Sequence, residues 1–155
     1  MSQANDHRHP TEGERIGGTL AQDHSASNSW SNAAETELAP VLMRMHMEHT
    51  LWLNSLRFYR EEIFIFNGHL EQFVRTTAQR DQMENVEHFQ NKFLRETEVI
   101  DELAHAIKQH EKQLQRGSGA GHEAMHADLL DRMTTYERLY TELKVEFRSW
   151  LVANP

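Results

Sequence analysis

The stretch HAIKQHEKQLQRGSGAGHEAMH, residues 105–126, carries His105, His110, His122 and His126, four of the eleven histidines in the chain. Imidazole titrates near neutral pH and offers one lone pair to a divalent ion, so such a cluster points to metal binding or to a pH-linked switch. Other chemistries are narrowed by what the chain lacks. There is no cysteine, which removes thiolate ligands, thiolate nucleophiles and disulfides. No nucleophile–base pattern or dinucleotide fingerprint is visible. RGSGAG, residues 116–121, has no strand before it and no Gly-Lys-Ser/Thr after it, so it is an interhelical turn rather than a phosphate cradle.

Whether the histidines can meet depends on the elements that carry them. Apolar residues recur at alternating steps of three and four in a first seam: Leu38, Leu42, Met45, His49, Trp52, Leu56, Tyr59, Ile63, Phe66, Leu70 and Phe73. A second seam runs through Val86, Phe89, Phe93, Glu96, Ile100, Leu103, Ile107, His110 and Leu114. The third holds His122, His126, Leu129, Met133, Tyr136, Tyr140, Leu143, Phe147 and Trp150. A mean step near 3.5 is the spacing of coiled-coil packing, and no strand-like alternation competes with it. The fold class is therefore all-α, an antiparallel up-down-up bundle of three long helices. The alternative is a four-helix bundle with a break at Asn67-Gly68, ordinarily a turn signal.

Boundaries follow from local chemistry. Residues 1–31 mix Ser, Asn, Asp, Gly and His with isolated apolar residues, the composition of a disordered polar tail that holds His7, His9 and His24. The bundle domain is expected over residues 32–155. Asn32 with Glu35 forms a capping-box pattern before Pro40, and Asp81 with Glu84 forms another at the second helix.

Antiparallel helices rise equally per residue, so axial levels can be read from the turns. With turns centred near residues 80 and 119, partners on the first two helices sum to about 160 and those on the last two to about 238. His49 then lies level with Glu111, His110 with Asp128, and His126 with Lys112. One seam histidine from each helix falls within roughly a turn of the others. The candidate ligands are His49, His110 and His126, with His122, Glu111 and Glu123 completing or supporting the shell; His46 and Glu48 flank them. His105 is rotated off the seam and is excluded. Imidazoles with an occasional carboxylate suit Zn²⁺, Fe²⁺ or another first-row divalent ion. The competing reading is a polar layer that fixes register, or one that responds to pH as buried imidazoles gain protons.

Two metal frameworks fail on spacing. Glu102-Leu-Ala-His105 and Glu123-Ala-Met-His126 match the Glu-x-x-His string of di-iron carboxylate bundles. Their histidines, however, fall about two turns apart along the axis. Hemerythrin-like ligands are distributed over four helices, a pattern that cannot be placed here. Glu96, a carboxylate on an apolar seam, is expected to reach solvent or to pair with Arg60. The aromatic residues at helical spacing read as core.

VEHFQNKFLRETEVIDELAHAIKQHE and EHTLWLNSLRFYREEIFIF are similar to segments of small bacterial helical-bundle proteins, a family without an assigned activity. The resemblance spans residues 46–150. It implies a bacterial helical bundle and supplies no catalytic residues.

Composition bounds the remaining roles. The net charge of −8 argues against a nucleic-acid partner, which wants a basic face. The polar start and the short Ile63–Phe66 apolar run argue against a signal peptide or membrane span, so a cytoplasmic location is expected. Leu53, Phe58, Phe64, Ile65, Leu94, Val99, Leu130, Leu139 and Leu151 lie off the seams and widen the apolar stripe. Self-association or a helical protein partner is the expected use of any surplus. The functional expectation is a bundle with a histidine-rich layer that binds a divalent metal; the alternative is a non-metal interaction module or homodimer. Enzyme activity enters only as an extension of the metal reading.

Overall fold

The computed structural model describes residues 25–76, 82–117 and 121–154, with side chains from residue 38 onward. Three helices account for them: α1 (Ser25–Thr76), α2 (Met83–Gln115) and α3 (His122–Ala153). No strand occurs among the described residues. The chain divides into two compact units, residues 1–36 and 37–155, and the bundle belongs to the second.

Cross-helix pairs fix the topology. His49 of α1 meets His110 of α2 near one end, while Phe66 meets Phe93 near the other. His110 likewise meets His126 of α3, and Phe89 meets Phe147. Neighbours in sequence are therefore antiparallel, as the seams require. α1 runs unbroken through Asn67-Gly68, which removes the four-helix alternative. A Cβ at Gly68 would meet nothing within 4 Å, so this glycine weakens the helix by backbone entropy without interrupting it.

Several boundaries differ from those read off the sequence. α1 begins at Ser25 rather than near residue 32, so residues 25–31, expected in the tail, are helical. Asn32 and Glu35 consequently lie within the helix rather than at its start. Pro40 is inside α1 and has no N–H to give the carbonyl of Thr36. Residues 1–24, with His7, His9 and His24, lie outside the described residues, as does Asp81. The N-cap of α2 is Gln82, which makes no side-chain capping bond, and Glu84 stands in the first turn.

The α2–α3 turn needs glycine at two points. Gly117 has φ +91° and Gly121 φ +114°, a region costly for any residue with a Cβ. Gly117 sits just past the α2 C-cap, where its N–H bonds to the Leu114 carbonyl at 3.3 Å, a common way to end a helix. Gly121 opens α3, its carbonyl accepting from Met125 N–H at 3.0 Å.

The core is layered along the axis. Phe66, Phe73, Phe89, Phe93 and Phe147 fill the end away from this turn. Phe93 and Phe147 meet edge to face with centroids 5.0 Å apart, a favoured aromatic geometry. Tyr59, Tyr136 and Tyr140 occupy the middle. There Glu62 accepts from the Tyr140 hydroxyl at 2.9 Å and pairs with Lys144 at 2.6 Å and Arg148 at 3.4 Å. Next to the α2–α3 turn the apolar seam gives way to histidine. Leu38, expected on the first seam, is 42% exposed.

Candidate metal centre

His49, His110 and His126 are the buried polar side chains of the described bundle, at 1%, 0% and 6% exposure. Each occupies a position that the 3.5-residue repeat gives to an apolar knob, so packing turns all three rings inward. One nitrogen from each ring lies within 4.8 Å of the other two. His49 Nε2 is the hub, 3.0 Å from His110 Nδ1 and 3.3 Å from His126 Nδ1. Imidazole nitrogens bound tetrahedrally to zinc at about 2.0–2.1 Å stand about 3.3 Å apart. The two separations already match that figure to within a few tenths of an ångström.

Two carboxylates set the tautomers of two rings. Glu111 accepts from His49 Nδ1–H at 2.7 Å, and its other oxygen lies 2.6 Å from His46 Nδ1. Glu48 accepts from His126 Nε2–H. With His49 protonated on Nδ1 and His126 on Nε2, the neutral rings present bare lone pairs at His49 Nε2 and His126 Nδ1. These are the two atoms 3.3 Å apart. His110 can donate Nδ1–H to His49, but that leaves the His126 lone pair facing an acceptor already in use. A cation between the rings, a proton or a metal ion, would remove the conflict.

Electrostatics weigh against a proton on His49 or His110. Burial lowers the His49 pKa, and the Glu111 hydrogen bond only partly opposes it. Burial also drives His110 down to about 4, helped by the neighbouring histidines. A metal ion instead keeps every ring neutral and uses the lone pairs. For Glu111, burial pushes the carboxyl up, yet hydrogen bonds from His49, His46 and Gln115 outweigh it and hold it below the ordinary range. Two carboxylates bonded to two ligands match the charge of a divalent ion, a carboxylate–histidine–metal arrangement.

Trp52 closes the side towards the core. It stacks on His126 at 4.9 Å and 25° and lies 5.6 Å from His49. His110 Nε2 is buried without a hydrogen-bond partner among the described residues.

The level arithmetic thus placed His49 beside Glu111 and brought the three seam histidines together. His122 is beside the site, its ring centroid 5.6 Å from that of His110. Glu111 supports the ring of His49 from behind and is not one of the converging groups. Glu123 stands apart, exposed on the first turn of α3. His105 is exposed against Gln109, as its rotation off the seam requires. Arg60 pairs with Asp101, not with Glu96, whose carboxyl is pushed up by burial and only partly offset by Lys92. The role of Glu62 was not anticipated. Its signal was the i, i+4, i+8 row Tyr140, Lys144, Arg148 on the third helix.

No helix among the described residues is long and apolar enough to cross a membrane. No family model matches the chain, and no curated protein or solved structure matches it either.

Proposed function

We propose that the protein binds one divalent transition-metal ion, zinc or ferrous iron, through His49 Nε2, His110 Nδ1 and His126 Nδ1. The observation that carries this reading is the pair of lone pairs 3.3 Å apart at His49 and His126, each fixed by a carboxylate on the far side of its ring. Neutral nitrogen ligands suit these ions and exclude magnesium and calcium, which prefer oxygen. Three protein ligands leave a fourth position open, the pattern of sites that hold a water or an exogenous ligand. Bound water there would have a lowered pKa, which is where hydrolytic chemistry would begin. A cysteine-free chain suits the reducing cytoplasm as its compartment.

The test is a pair of melting curves with excess Zn²⁺ and with chelator. Wild type should melt several degrees higher with the ion, because binding to the folded state alone adds RT ln(1 + [L]/Kd). His126→Ala should abolish the difference. An equal midpoint with and without metal in the wild type refutes the reading.

A second reading rests on a separate observation. Met47, Leu51, Phe58 and Ile65 of α1 are 58%, 62%, 55% and 55% exposed at steps of four, seven and seven. That is a heptad-like stripe on the outer face of the helix, suited to a second copy of the chain or a partner helix. Sedimentation of wild type beside Phe58→Glu tests it. A dimer that the substitution splits supports an interface, and a monomer at high concentration refutes self-association.

A further inference from the structure

The histidine layer is closed on three sides. Trp52 covers the core side, Glu48 stands behind His126, and Glu111 behind His49. The fourth side, towards the α2–α3 turn, is different. A groove of about 410 Å³ lies there, lined by Leu38, Leu42 and Met45 of α1 and by His122, Glu123 and Ala124 of α3. That size falls within the range of small-molecule pockets.

Two of its lining residues stand one helical turn from the layer. Met45 precedes His49 by one turn on the same face of α1 and is 2% exposed. His122 precedes His126 by one turn of α3, with its ring 5.6 Å from that of His110. An unbranched thioether with three rotatable bonds moves aside more readily than Trp52 stacked on a histidine. A molecule seated in the groove would lie about one helical turn from His49 on α1 and from His126 on α3.

Its lining also selects what enters. Leu38, Val41, Leu42, Met45 and Ala124 make the walls largely apolar, and Glu123 is the charged residue among them. The two carboxylates behind the ligands already balance a divalent ion. An anionic ligand would bring an uncompensated negative charge into a buried layer, beside the carboxylate of Glu123.

We infer that this groove binds a small uncharged nitrogen-donor molecule with an apolar body, of the imidazole or pyridine class, as the fourth ligand of the metal. The inference rests on the metal reading above, and one experiment separates the two. The full-length chain is loaded with Co²⁺, whose visible bands report four-coordinate binding, and is titrated with imidazole or with azide at pH 8.

Imidazole should shift the bands while cobalt stays with the protein, with at least tenfold preference over azide. Ala124→Phe, which fills the groove without touching a ligand, should retain the cobalt spectrum and bind imidazole at least tenfold more weakly. Cobalt bands that ignore imidazole, a preference for azide, or an unaffected Ala124→Phe would each overturn the inference and leave the metal site standing. Failure of the wild type to take up cobalt overturns both.

Discussion

Glu111 is the most informative single residue of the site, because it acts on the metal without touching it. In Glu111→Gln the remaining oxygen can still accept from His49 Nδ1–H, now 2.7 Å from the carboxylate, so ring orientation is kept. What changes is charge. A divalent ion on His49 Nε2 would lie roughly 6 Å from the carboxylate, across the imidazole ring. At an effective dielectric constant near 20 the attraction is about 5 kcal/mol, an upper bound before solvent screening. The carboxylate is 17% exposed, and outer-shell substitutions in metal sites cost about 10–100-fold in affinity. We expect the lower figure to govern, a loss of about 1.4–2.8 kcal/mol.

The assay is competition for Zn²⁺ against a chromophoric chelator at fixed pH, with His46→Ala as the control. That substitution removes the more exposed partner of Glu111 and keeps the bond to His49, so it should change affinity by less than about threefold, a small part of the outer-shell effect. Zinc affinity of Glu111→Gln within about twofold of wild type, well below the outer-shell range, would refute the coupling of carboxylate to metal through His49.

Three further outcomes follow from the same structure. In the metal-free chain, His110 folds with a pKa lowered from 6.5 to about 4, so the unfolded state binds more protons between those values. Stability should therefore fall as pH drops from 6.5 towards 4, by roughly 3 kcal/mol from this group. Denaturant midpoints across that range should flatten in His110→Phe, and an unchanged slope would contradict the burial argument. Gly68→Ala should stabilise by about 1 kcal/mol because the added Cβ meets nothing. Gly121→Ala, at φ +114°, should instead destabilise by about 1–2 kcal/mol, and thermal melts of the two variants should move in opposite directions. Phe93→Ala empties a fully buried site among Phe66, Phe89 and Phe147 and should cost about 3–5 kcal/mol in urea unfolding.

The sequence carried axial information better than angular information. A seam with steps of three and four states which residues face inward, and two short turns state which residues share a level. Those two facts suffice to bring His49, His110 and His126 together from three helices. They do not specify how each side chain leans around its own axis. Glu48 and Glu123 were both plausible neighbours of the layer, yet Glu48 pairs with His126 while Glu123 is exposed. Likewise Arg60 was placed near Glu96 by level, but a rotation along α2 gives it to Asp101.

Helix ends were the other loss. Asn32 with Glu35 satisfies a capping box as a sequence string, but α1 starts at Ser25 and places the motif in its interior turns. Capping patterns mark places where a helix can start, and nothing in a four-residue string prevents it from starting earlier. Leu38 extends the first seam on paper. It is 42% exposed, because it stands at the margin of the bundle beside the groove. Of the off-seam apolar residues, Phe58, Phe64, Ile65, Leu94, Leu130 and Leu139 are exposed, whereas Leu53, Val99 and Leu151 pack partly against the core.

The most direct measurement is the metal content of untagged, full-length protein after reconstitution with Zn²⁺ or Fe²⁺ and removal of loosely bound ions. Elemental analysis should find about one ion per chain in the wild type and none in the His49→Ala/His110→Ala double mutant. No bound metal in the wild type, or equal content in the double mutant, would contradict a metal ion at the three histidines. The three histidines would then be a polar layer that fixes the register of the bundle.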